Sequence, residues 1–311
     1  MSNNIDTAKQ LLANTETGPG ILADPGIAHL IIHGNQVIGR HELPGIEVKA
    51  EEQEQGTRVV VTVKESIYIS KPVHMCFGLM RPKGIQRINT TINIGKNSRL
   101  FILAHCIFPN AVDVRHIMDA TINLGDDAEC TYLERHIHNP NGGVKVYPTT
   151  VTKLGEKSRM KTEFELLRGR VGLIDMNYET DCGKSSTLEM TTRINATSDD
   201  IVIIHEGAHL HERATGVLAS KVALRDRAKA EVHNKLVASG AYARGHIDCK
   251  EIVKDHAIAT AIPIVEVNHP LAHITHEAAI GSVDFRQLET LMSRGLSEDE
   301  AVELIIQGLL S

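Results

Sequence analysis

Thr91-Ile92-Asn93-Ile94-Gly95 recurs thirty residues later as Thr121-Ile122-Asn123-Leu124-Gly125. Thirty more residues bring Lys153-Leu154-Gly155, and 28 beyond that glycine lies Cys182-Gly183. A short polar turn follows each glycine, such as Lys96-Asn97-Ser98 or Glu156-Lys157-Ser158, and an alternating run then resumes. Met160, Thr162, Phe164 and Leu166 alternate with Lys161, Glu163 and Glu165; Leu188, Met190, Thr192 and Ile194 alternate with Glu189, Thr191 and Arg193. Period-two patterning describes half-buried strands. A two-sheet sandwich also makes short alternating strands, but a fixed period near 30 favours coils stacked strand on strand, a parallel β-helix. The alternation continues with smaller residues through Ala228, Ala230 and Val232 and then Ala241, Ala243, Gly245, Ile247 and Cys249.

The flanks read differently. Residues 5–14 suit one short helix, and 20–85 mix Gly/Pro turns with strands such as Arg58-Val59-Val60-Val61-Thr62-Val63. Past Gly281 the period becomes helical: Asp284 precedes Phe285, Leu288, Leu291 and Met292, and Gly295 ends the run. Ser297-Glu298-Asp299-Glu300 is a capping box that opens a second helix through Leu304 and Ile305 to Leu310. The expected organisation is a small mixed α/β segment over 1–84, a β-helix core over 85–281 and a C-terminal helical hairpin over 282–311.

Composition sets bounds on function. The 311 residues carry 33 basic and 39 acidic side chains, a net charge of −6, so nucleic-acid binding lacks its basic field. No basic n-region opens the chain and no apolar run is long enough to span a bilayer, so a cytoplasmic protein without a membrane partner is expected. Aromatic residues are 3% with no Trp, which leaves the core to aliphatic side chains. The five cysteines are widely spaced and never form C-x-x-C, which excludes a zinc ribbon, a thioredoxin motif and a ferredoxin pattern. Hydrolase, P-loop and dinucleotide signatures are absent, so the chain does not read as an ATPase.

Chemistry concentrates in 244–277, where five of the 17 histidines fall together with Cys249, Glu251, Glu266 and Glu277. Thiolate, imidazole and carboxylate suit a transiently held iron or zinc centre; the plain alternative is a strand face displaying polar residues to water. Cys249 shares its face with inward Ile247, so a buried inert thiol is its bland reading. His276 and Glu277 fall on opposite faces of a regular strand. His209 and His211 form half a metal site without a recognisable third ligand, and surface decoration is the expectation for them and for His136 and His138. The hairpin's apolar positions serve either to cover the solenoid's open end or to dock a partner.

Arg244-Gly245-His246-Ile247-Asp248-Cys249, Ile262-Pro263-Ile264-Val265-Glu266, Thr275-His276-Glu277-Ala278 and the stretch from Gly295-Leu296-Ser297-Glu298 to Ile305-Ile306-Gln307-Gly308 resemble the SufB/SufD family of iron–sulfur cluster assembly scaffolds. The likeness is specific over the last 70 residues, moderate over 85–240 and weak before 85, and the short length resembles the compact SufB-like form of archaea and anaerobes. The resemblance implies a right-handed β-helix, a SufC-like ABC ATPase bound through the hairpin (Phe285, Leu288, Leu291, Met292, Leu304, Ile305), and a homodimer paired along the terminal strands. It implies a non-enzymatic scaffold that holds a transient iron–sulfur cluster between a sulfur donor and recipient apoproteins. It carries cluster-site roles to His276 and Glu277, with Glu266 a further member.

Two thiols of the larger bacterial scaffold are missing, at His256-Ala257-Ile258 and at Lys153 before Gly155-Glu156. A bacterial-style sulfur relay is therefore not expected, and Cys249 becomes the choice for sulfur acceptance or iron ligation, with Cys182 a distant second. The rival readings are a docking subunit of the ATPase that ligates no cluster, and a β-helix enzyme with a zinc or iron site in an open cleft.

Overall fold

In the computed structural model, which describes residues 2–311, the thirty-residue echo is a register match. Thr91, Ile92, Asn93 and Ile94 lie beside Thr121, Ile122, Asn123 and Leu124 in adjacent parallel strands. The amide of Asn123 donates to Asn93 Oδ1 at 2.9 Å, a side-chain rung between coils. At the corner that follows, a Cβ on Gly125 would stand 2.7 Å from the backbone nitrogen of Lys96. The recurring glycine is thus required by the close stacking of one coil's corner on the next.

Helix α1 (Ser2–Leu12) leads to β1 (His29–His33), β2 (Gln36–His41), β3 (Ile46–Gln53), β4 (Gly56–Val63) and β5 (Val73–Gly78). Then come β6 (Lys83–Ile94), β7 (Arg99–Phe108), β8 (Asp113–Leu124), β9 (Glu129–His138), β10 (Val144–Leu154) and β11 (Arg159–Arg168). Next are β12 (Leu173–Cys182), β13 (Thr187–Ala196), β14 (Ile201–Leu210), β15 (Thr215–Leu224) and β16 (Lys229–Ala238). The chain closes with β17 (Arg244–Val253), β18 (Ile258–Val267), β19 (His273–Ser282), α2 (Phe285–Ser293) and α3 (Glu298–Leu310).

From β4 onward, alternate strands join alternate sheets. The 10-stranded sheet runs β19-β17-β15-β13-β11-β9-β7-β5-β1-β2 and the 9-stranded sheet β18-β16-β14-β12-β10-β8-β6-β4-β3. Pairing is parallel except β1 with β2 and β3 with β4, the two antiparallel hairpins at the N-terminal end. The result is a β-solenoid of about 8 turns. Its inward positions form one continuous aliphatic core, with Ile92, Ile122, Leu188, Ile204 and Leu218 among its members. Four-residue corners carry non-glycine residues in the left-handed region, among them Asn97, Asp127 and Lys157. Their amides bond across coils, Asn97 N–H to Asp126 O and Asp127 N–H to Glu156 O, which ties each corner to the next.

The two ends are finished differently. At the N-terminal end α1 packs Leu11 and Leu12 on the outside of the 10-stranded sheet against Ile31, Cys76 and Ile107. At the C-terminal end β18 and β19 are the unpaired last strands of their sheets.

Candidate functional site at the open end of the solenoid

The C-terminal hairpin does not cover the last coil. Helix α3 is held by its capping box at Ser297 and Glu300 and buries Val302, Ile306 and Leu310 against Ala223 of β15. Ala223 has outward parity, and its neighbours Lys221 and Arg225 also reach α3, to Ser311 O at 2.9 Å and Glu303 at 3.0 Å. The hairpin therefore lies along the outer face of the 10-stranded sheet. Helix α2 buries nothing fully, and Phe285 (67% exposed), Met292 and Leu304 face outward. Between the helices runs a groove lined by Arg286, Leu291, Leu304, Ile305 and Gly308, with Ile252 of β17 at its base. Of the partner-docking set, Phe285, Met292 and Leu304 are exposed, while Leu288, Leu291 and Ile305 are half-buried.

Cys249 has no exposed surface. It stacks on Ser220 of β15 and lies under Ala278 of β19, with His276 placed over Ile247 one pleat away. Cys249 and His276 thus share the inward face of adjacent strands, the thiol sealed by one strand and the imidazole exposed at the mouth. Glu277 pairs in register with Asp248 on the opposite face. Glu266 of β18 is on the outer face of the other sheet, ion-paired with Lys235 at 2.7 Å. The fold brings Cys249 and His276 together; it leaves Glu277 and Glu266 pointing elsewhere.

The surroundings of Cys249 are polar. Thr192, Ser220 and Cys249 succeed one another on β13, β15 and β17, facing Glu206 of β14 and Asn234 of β16 across the interior. Asn234, oriented to satisfy its neighbours, donates to Glu206 Oε2 at 3.3 Å and accepts from the Ser220 hydroxyl at 2.6 Å. Cys249 Sγ lies 3.5 Å from the Asn234 atom that meets Ser220. Burial, with the nearby carboxyls of Glu251 and Glu206, pushes the Cys249 thiol up to about 12. Glu251, one pleat further along β17, is 1% exposed, and neither carboxyl oxygen has a hydrogen-bond partner. Burial and then Asp248 raise it to about 7. A buried carboxyl with no donor at either oxygen is costly and calls for a cation or a proton. The sequence places Glu251 on the inward face with Cys249, so parity was the signal that marks it.

Two expectations about histidines are corrected. His136 and His138 are interior, 2% and 5% exposed, not surface decoration, because inward parity on β9 falls on Glu134, His136 and His138. The 30-residue period also sets His136 beside Cys106. His209 and His211 do have a third ligand-type neighbour: Asp181 of the previous coil, 2.8 Å from His211 Nε2 and 3.8 Å from His209 Nδ1. His209 is satisfied by Ser239 Oγ at 2.6 Å. All five cysteines are buried thiols, Cys182 among them.

A model of the SUF-system FeS cluster assembly SufBD core domain matches residues 80–309. The chain belongs to the SufBD family. An iron–sulfur cluster assembly SufBD family protein of Pyrococcus horikoshii is 36% identical over 287 residues, 91% of this chain and 87% of that one. One from Methanocaldococcus jannaschii is 36% identical over 282 residues, 90% and 89% of the two chains. The SufB protein of Bacillus subtilis matches over 107 residues at 33% identity, covering 33% of this chain and 23% of that one. The SufBD core domain therefore takes in the open coil, the interior row below it and the hairpin. The strands before residue 80 lie outside the matched region. Among the described residues no helix is long and apolar enough to cross a membrane.

Proposed function

We propose that this SufBD protein is a scaffold on which an iron–sulfur cluster is assembled as cargo, and that its site is the layer of Cys249, Glu251 and His276. The observation that carries this reading is the orphaned Glu251 carboxyl one pleat from the Cys249 thiol, on the inward face that His276 continues over Ile247, at an unfinished solenoid end. Sulfur, oxygen and nitrogen donors together hold iron less firmly than four thiolates, which suits a cluster that must leave. Glu251 takes the place that Glu277 and Glu266 hold in the sequence reading, because it shares the inward face with Cys249.

Two unpaired edges supply a surface for a second copy, with Ile264, Val267 and Ile280 exposed along them. A SufC-like ATPase would seat on the hairpin. Its motion would reach the site by two routes at the end of β17: Ile252 in the lining of the hairpin groove, and Lys254 just past the strand, whose Nζ lies 3.6 Å from Asp299 of α3. Opening this strand is what a sealed Cys249 needs to receive sulfur.

The test is anaerobic reconstitution of the ATPase–scaffold complex with iron and sulfide. Wild type should retain both and show thiolate-to-iron absorption; Cys249→Ser and Glu251→Gln should lose them. Unchanged iron, sulfide and absorption in Cys249→Ser would refute the assignment. The complete burial of Cys249 favours one alternative, a docking subunit that ligates no cluster, for which wild type itself would retain neither iron nor sulfide.

A further inference from the structure

A second convergence of donors lies far along the solenoid from the open end, and the function proposed above does not use it. Cys106 on β7, His116 on β8, and Glu134 and His136 on β9 meet inside the coils, at 0%, 0%, 2% and 2% exposure. Cys106 Sγ is 3.4 Å from His116 Nε2 and 3.9 Å from Glu134 Oε1. His136 Nε2 is 2.8 Å from the same carboxyl oxygen. One ligand-type atom each from Cys106, His116 and His136 fall within 4.8 Å of one another.

Proton bookkeeping sharpens the geometry. His138 Nδ1 lies 3.0 Å from the Arg170 carbonyl, which can only accept, so Nδ1 carries the proton and His138 Nε2 is a lone pair. His136 Nδ1, 3.3 Å from that lone pair, must then donate to it. The neutral His136 ring is left with a lone pair at Nε2, aimed at a carboxylate oxygen that is also an acceptor. Two buried acceptors at hydrogen-bond distance need something positive between them: a proton, or a cation. On the far side, His116 Nε2 faces the Cys106 sulfur while its Nδ1 has no partner.

We propose that Cys106, His116, Glu134 and His136 bind one divalent ion of borderline softness, zinc(II) or iron(II), inside the solenoid. A tetrahedral ion with bonds of about 2.3 Å to sulfur and about 2.05 Å to nitrogen separates those ligands by about 3.6 Å, close to the Cys106–His116 spacing. One thiolate and one carboxylate balance the ion's two charges, so the filled site is neutral in a dry interior. The His136–His138–Arg170 chain is the outer hydrogen-bond support that fixes a ligand histidine's tautomer. On binding, two protons leave, the thiol proton of Cys106 and the proton shared by Glu134 and His136.

Because the site is enclosed, the ion enters as the chain folds. The full chain is unfolded with chelator, refolded with one equivalent of cobalt(II), zinc(II) or iron(II) under anaerobic conditions, and freed of loose metal. Cobalt should give thiolate charge-transfer and tetrahedral ligand-field bands at one ion per chain, retained in Cys249→Ser and lost in Cys106→Ser. Competition of zinc and iron against cobalt identifies the preferred ion, and a dye should record two protons released per ion. His136→Gln, whose amide preserves packing, should weaken binding at least 10-fold while circular dichroism stays that of wild type. Failure of wild type to retain metal, cobalt bands without thiolate character, or bands that survive Cys106→Ser and disappear in Cys249→Ser would each overturn the proposal. The last result would place the ion at the open end.

Discussion

Replacing Glu206 by Gln should make the protein more stable in mild alkali, and by a calculable amount. Glu206 is 2% exposed, deep in the row that ends at Cys249. Burial raises its carboxyl from 4.5 to about 7, although the Thr192 hydroxyl donates to it at 2.5 Å and pulls the other way. In the unfolded chain the group ionises near its ordinary value, so between 4.5 and 7 the folded state holds a proton the unfolded state has lost. Stability therefore falls as pH rises through that window and levels off above it. The gap corresponds to about 3 kcal/mol at 1.36 kcal/mol per decade. Gln is isosteric and always neutral, so it escapes this loss while still accepting from Thr192. Urea unfolding of both proteins at pH 4.5 and pH 8 isolates the effect. The difference in unfolding free energy between Glu206→Gln and wild type should grow in the variant's favour by about 3 kcal/mol between those pH values. A difference that stays constant with pH would show that Glu206 ionises normally, and the picture of a dry interior row would fail with it.

Other sites make independent predictions. His74 is 4% exposed and burial lowers it from 6.5 to about 4, so the unfolded state binds the extra proton and stability should fall by about 3 kcal/mol as pH drops through that window. His74→Gln should remove that slope in the same unfolding assay. Gly125→Ala places a Cβ 2.7 Å from the Lys96 backbone nitrogen, which cannot swing aside, and should cost about 1–3 kcal/mol, read as a lower thermal midpoint. Phe285→Asp with Leu304→Asp alters exposed positions, so the thermal midpoint should hold while co-purification of a SufC-like ATPase is lost. Retained co-purification would remove the hairpin from the docking surface.

The solenoid was legible because its period is written twice over, in alternation within strands and in a 30-residue echo between them. The echo survives only where coils keep their length. Cα partners are 30 apart between β6 and β8 but 28 apart between β10 and β12, which is why Cys182-Gly183 arrives early. Parity alone was enough to place Cys249 inside and to separate His276 from Glu277, since a regular strand allows no other outcome. Alternation failed at β9. There Glu134, His136 and His138 occupy the inward face and Leu133 and Ile137 the outer one, the reverse of hydropathy. The outer face at that level is covered: Ile137 packs against the cluster that α1 makes with Ile107 and Cys76. A strand buried on both sides no longer reports which side is the core.

The same reasoning explains why the chemistry of this protein was harder to read than its architecture. A functional donor inside a solenoid is a polar residue at an inward position, and a reader of hydropathy assigns polar residues to the surface. Glu206, Glu251, Glu134 and His136 all break the pattern in that sense, and each is a buried titratable group that the aliphatic rows on either side do not need. Their positions are recoverable once the period is known, because register converts sequence distance into contact: Cys106 and His136 are 30 apart and adjacent, Asp181 and His209 are 28 apart and adjacent. The destabilisation carried by Glu206 should therefore have counterparts at Glu251 and Glu134, whose carboxyls are likewise raised to about 7. A core that needed only to fold would hold alanine or valine there. Glu206 accepts from Thr192 and Glu134 meets Cys106 and His136, while Glu251 has no partner at either oxygen; keeping three ionisable carboxyls in a small aliphatic interior is a cost that the cation sites proposed at Glu251 and Glu134 would offset.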